Sequence, residues 1–175
     1  MSTASPSTAT SDVVNAILGV DENSPIVALR NQKPELVTEL QDYYDALFVP
    51  EPESNAAFPL ADRFVVAVRV ASFTGSTAVA SWYSDLATSA GVSETTIQRA
   101  RDTSVKWDGQ SSLDAAIRHT DLLTVRPSAA SPADLQALKD AGFSPAGIVS
   151  LSQTVAFVSY QLRLIAGLRA LGGLA

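Results

Sequence analysis

Apolar residues along this chain recur mostly at intervals of three and four rather than in alternation, the spacing of helices packed on one face. In "PELVTELQDYYDALF", residues 34–48, Pro34 suits a first helical turn, and Leu36, Val37, Leu40, Tyr44 and Leu47 form an apolar stripe. The stretch "VPEPESNAAFP" follows with three prolines in close succession, which predicts a connecting loop without regular structure. A helix is then predicted from near Leu60. Its residues Phe64, Val65, Val66, Ala67, Val68, Val70, Ala71 and Phe73 leave polar positions only around Arg63, Arg69 and Ser72, so this helix belongs at the centre of the core. From Ile148 to Leu171 the chain is again strongly apolar, but Ser150, Ser152, Gln153, Gln161, Arg163 and Arg169 interrupt it. That predicts a buried helix and no bilayer span.

Two junctions share one design. "AGVSETTI" from Ala90 and "AGFSPAGI" from Ala141 each give glycine, an apolar residue, serine, and isoleucine four positions after the serine. A left-handed glycine ending one helix and a serine capping the next account for this pattern. In "SPADLQALKDAG", Ser131 is the expected cap, Pro132 and Asp134 suit the first turn, and Gly142 is the expected stop. No segment alternates for long enough to argue a strand, so the fold class is all-α.

Size and composition narrow the functions open to such a bundle. At 175 residues and 46% hydrophobic, the chain is expected to form a single helical domain over residues 12–175, preceded by a polar, small-residue tail over residues 1–11. It has no cysteine, which excludes disulfides, thiolate metal sites and thiol nucleophiles. No secretory pattern opens it, and the expected location is cytoplasmic. A net charge of −6 without a Lys/Arg cluster argues against nucleic acid as a partner. His119 is the single histidine and is expected at the surface or an interface. One histidine and no cysteine leave no conventional zinc site, and no cofactor or metal is expected.

The segment "LADRFVVAVRVASFTGSTAVASWYSDLATSAGVSETTI" resembles the core motif of the carboxymuconolactone decarboxylase and alkylhydroperoxidase D superfamily. That motif runs Arg-Glu, a buried helix, C-x-x-C-x-x-x-H and a glycine-capped turn. The flanking segments, "SDVVNAILGVDENSPIVALRNQKPELVTELQDYYDALF" and the stretch from Asp121 to Leu168, resemble the peroxidase-related subgroup. The resemblance implies an alkylhydroperoxidase D-like helical bundle that forms a homo-oligomer through its motif helices. Gly75 and Gly91 set the register: Ser76 and Val79 stand where the family has its cysteines, Tyr83 where it has its histidine, and Phe64 where it has its glutamate. Serine cannot cycle through a disulfide and has no base beside it, so thiol peroxidase chemistry is excluded.

Two functions of different class remain open under this resemblance. In the first, the former redox pocket binds or turns over a small metabolite by cofactor-free acid/base chemistry. Tyr83 and Ser76 are then the catalytic candidates, and Arg69 and Trp82 the substrate-binding ones. In the second, the protein is a non-catalytic oligomeric scaffold or ligand-binding homologue in which Phe64, Val79 and Tyr83 fill the pocket. Each candidate also has a plainer role: Tyr83 as a hydrogen-bonded core residue, Arg69 paired to an internal acid, Trp82 as core or interface packing, Ser76 as a small residue that fits. A roomy pocket facing Arg69 and Tyr83 favours the first function, and a collapsed one the second.

Overall fold

A computed structural model describes residues 12–172, and the predicted tail over residues 1–11 lies outside that range. The described residues are all-helical: α1 (Val13–Leu18), α2 (Pro25–Arg30), α3 (Pro34–Phe48), α4 (Pro52–Ala57), α5 (Leu60–Phe73), α6 (Thr77–Ser89), α7 (Glu94–Arg101), α8 (Ser112–Val125), α9 (Pro132–Asp140) and α10 (Pro145–Gly172), with a short 3-10 turn at Pro127–Ala129. Central α5 packs against α6, α7, α8 and α10. Every residue from Arg63 to Ala71 is buried, as its apolar run predicts. Only its two ends, Leu60–Asp62 and Ser72–Phe73, are partly exposed.

The predicted corners form. Gly91 and Gly142 take φ of +82° and +94°, a region open to glycine at low cost. Ser93 accepts from the Thr96 N–H at 3.2 Å, and the Ser144 hydroxyl accepts from the Gly147 N–H at 3.1 Å. Ser131 and Asp134 form a reciprocal capping box at the start of α9.

Three expectations need correction. The proline-rich stretch is not irregular throughout, because Pro52 opens the short helix α4 and Pro50 and Pro59 fall outside it. Proline at the first helical position gives up no intrahelical hydrogen bond and begins with a suitable φ. The stripe of α3 is buried only at Leu40, Tyr44, Leu47 and Phe48. Leu36, in the first turn, is 62% exposed. His119 is buried at 6% exposure, not superficial. Helix α10 is long and apolar enough to cross a membrane by length and composition, and 44% of its most apolar 18-residue window is packed inside.

Candidate functional site

The positions singled out by the sequence lie on α5, α6 and the turn between them, and the structure distributes them over four surroundings. Gly75, at φ +70°, turns the chain so that Ser76 becomes the N-cap of α6 without a side-chain capping bond. Ser76 then lines a groove of about 320 Å³ beside α10, together with Thr74, Thr124, Ser159, Arg163 and Arg169. Among the described residues, neither a carboxylate nor an imidazole lines this groove.

One and two turns further along α6, Val79 and Tyr83 point inward and have no exposure. The Tyr83 hydroxyl donates to Gln161 Oε1 of α10 at 2.8 Å. Burial drives its pKa far up, the nearby Tyr44 adds to that, and the bond to Gln161 opposes it. A phenol so placed stays protonated. Phe64, at 4% exposure, stacks on Phe48 with ring centroids 5.4 Å apart and planes within 6°. Phe48 also lies 5.1 Å from the Tyr83 ring. Such close aromatic contacts contribute beyond simple area burial. Where the resembled motif has glutamate, second cysteine and histidine, this chain therefore has well-packed core.

Trp82 occupies the neighbouring face of α6. It lines a different groove, of about 380 Å³, with Tyr44, Phe48, Leu60, Phe64 and Leu86. Its Nε1 is shut from solvent and has no hydrogen-bond partner among the described residues. Tyr44 is pushed up to about 12, chiefly by burial, and the adjacent indole pulls weakly the other way.

Arg69 faces α8. Its Nε and Nη2 donate to the two carboxylate oxygens of Asp121, both at 2.8 Å. Nη1 donates to the Asp102 carbonyl at 2.6 Å, and Nη2 reaches the Val105 carbonyl at 3.2 Å. This two-pronged pairing is the strongest geometry available to an arginine, and it commits the guanidinium to tying α5 to α8 and the loop after α7. The structure thus brings Phe64 and Tyr83 together around Phe48, leaves Ser76 and Trp82 in separate grooves, and turns Arg69 away from both.

Several important residues escaped the sequence reading. Gln161 and Asp121 supply the partners of Tyr83 and Arg69 from far along the chain. Buried Arg63 meets no acid among the described residues. It donates to the carbonyls of Phe58, Leu47 and Ser54 at 2.8, 2.7 and 2.6 Å, holding together the ends of α3 and α4. Burial lowers its pKa, yet arginine remains charged under ordinary conditions. Its advance signals were a cation within an otherwise apolar run and its place at the arginine of the resembled motif.

No family model, curated protein or solved structure matches the chain. The geometry by itself defines an all-helical arrangement of the described residues, with an aromatic core at Phe48, Phe64 and Tyr83 and separate grooves at Ser76 and Trp82.

Proposed function

We propose that this chain is a redox-silent, non-catalytic homologue of alkylhydroperoxidase D-type proteins that acts by assembling into a homo-oligomeric scaffold. One observation carries this reading: Val79 and Tyr83 have no exposure and Phe64 only 4%, so three of the four positions equivalent to the resembled redox residues are occupied by packed side chains, and only Ser76 faces a groove. Arg69 and Tyr83, needed to hold and protonate a substrate, line none of the grooves described. The Ser76 groove has no group suited to accept a proton at neutral pH. Acid/base turnover in the former redox pocket therefore has less support.

Surface apolarity supports assembly. Leu36, Tyr43 and Tyr160 are 62%, 39% and 51% exposed. With Leu40 and Phe157 they line a shallow groove of about 440 Å³ between α3 and α10. Grouped apolar surface of this kind is what a closed homo-oligomer covers. Because the middle of α5, Arg63–Ala71, is buried within its own chain, the α3–α10 face is the better candidate contact.

Sedimentation equilibrium at micromolar concentration tests this. The expected result is a discrete oligomer that Tyr160→Glu shifts toward monomer while its circular dichroism stays helical. Organic hydroperoxide supplied with a dithiol is expected to show no turnover above background. A wild-type monomer throughout that range, or enzymatic loss of peroxide, overturns the proposal.

A further inference from the structure

The cleft between α8 and α9 carries chemistry that the scaffold reading leaves unused. It has a volume of about 270 Å³ and is lined by Arg118, His119, Leu122 and Arg126 from α8 and its C-terminal end, and by Asp134 and Leu138 from α9. His119 is buried at 6% exposure and is one of the residues lining this cleft. Its Nδ1 is inaccessible to solvent and has no hydrogen-bond partner among the described residues. A buried polar atom left unpaired is costly and uncommon in proteins, and asks for an explanation.

The two arginines are placed differently. Arg118 is anchored through Nη1, which donates to the carbonyls of Trp107 and Gly109 at 2.7 and 2.9 Å. That leaves its other donors directed by a fixed guanidinium. Arg126, at the C-terminal end of α8, makes no side-chain hydrogen bond or ion pair among the described residues. Asp134 is the acid in the cleft, and its Oδ2 already accepts from the Ser131 N–H at 2.8 Å and hydroxyl at 2.7 Å. Across the Arg118 and Arg126 wall, the adjoining cleft adds Lys106, Asp108 and Asp121, of which Asp121 is taken by Arg69. Two arginines that form no ion pair among the described residues, grouped in a chain of net charge −6, make a local exception to its overall charge.

We infer that the α8–α9 cleft is a binding site for a small oxyanion, a phosphate or carboxylate group, held between the guanidinium groups of Arg118 and Arg126 with the His119 imidazole against it. Arginine's planar donors match such oxyanions in pairs, and a proton gained by His119 adds a third positive partner. The groove at Ser76 also carries two arginines, Arg163 and Arg169, and an unpaired buried hydroxyl, Thr124 Oγ1, but Thr124 is half-buried and offers no group that can gain a positive charge. The inference is independent of the scaffold reading, since it concerns a different face and makes no claim on oligomeric state.

The single histidine provides a reporter that needs no assignment. Its ring carbon-bound proton signals are followed by NMR while inorganic phosphate, or succinate in a second series, replaces sodium chloride at constant ionic strength. A saturable shift is expected at pH 7.5, where phosphate is mainly the dianion. Arg126→Gln, which breaks no hydrogen bond or ion pair among the described residues, is expected to weaken binding about tenfold at unchanged melting temperature. Arg101→Gln, on α7 away from the cleft lining, is expected to leave binding unchanged. Saturation by phosphate alone identifies a phosphate site, and saturation by both anions a general oxyanion site. Shifts that remain linear in both anions, or that are identical in wild type and Arg126→Gln, overturn the inference.

Discussion

Tyr83 and Gln161 stand 78 residues apart in sequence and meet at 2.8 Å through the phenol and the amide oxygen. Both are fully buried, and Gln161 Nε2 already has no partner among the described residues. Tyr83→Phe removes the only donor that Gln161 Oε1 has in this contact and leaves a buried acceptor unsatisfied. We expect a loss of about 1–3 kcal/mol in unfolding free energy, read as a lower urea midpoint with an unchanged slope. A catalytic phenol in an open pocket would instead have left stability nearly untouched. Tyr83 was legible as a core candidate because its neighbours on α6 are apolar. Its partner was not, because Gln161 reads in sequence only as a polar interruption of α10. The same limit hid Asp121 from Arg69, since neither residue's local pattern names the other.

At the scale of elements, the contact between α10 and α4 turns on a single missing side chain. A Cβ at Gly147 would lie 2.4 Å from the Ala57 carbonyl oxygen and 3.2 Å from the Phe143 ring. The nearer atom is backbone and cannot swing aside, so the helices must separate. Gly147→Ala is expected to destabilise the protein by about 1–3 kcal/mol, even though alanine is intrinsically the better helix former. Gly167 lies on the same helix with nothing within 4 Å of its would-be Cβ. There the propensity gain acts alone, and Gly167→Ala is expected to stabilise by up to about 1 kcal/mol. Thermal melts of the two variants check both signs. Helix ends were readable from Gly91, Ser93, Ser131 and Gly142 because capping is local chemistry. The short helix α4 was missed because three prolines were weighed together, although Pro52 alone sits at a helix start.

For the whole molecule, pH tests how burial and charge combine. Burial holds the His119 imidazole below its ordinary 6.5, and the Asp134 carboxylate opposes this more weakly. The unfolded chain then takes up the proton first as pH falls. It binds more protons than the native state between 6.5 and the lowered native value, so stability decreases with falling pH across that interval. In phosphate-free and carboxylate-free buffer, the urea midpoint is expected to drop between pH 7.5 and 5, and to drop less in His119→Gln. Asp114, held low mainly by the Ser111 hydroxyl, acts in the same direction in the acid range below its ordinary 3.8. An equal pH response in wild type and His119→Gln would remove His119 from this account. The sequence by itself determined the all-helical class, most helix ends and the absence of thiol chemistry, because each depends on residue identity or on neighbours within one or two turns. Only the tertiary structure decided that Arg69 is spent on Asp121, that Tyr83 is sealed against Gln161, and that His119 lies at the floor of a cleft between two arginines. Those outcomes depend on which helix faces meet, and a helix's own periodicity says which face is buried without saying what lies against it.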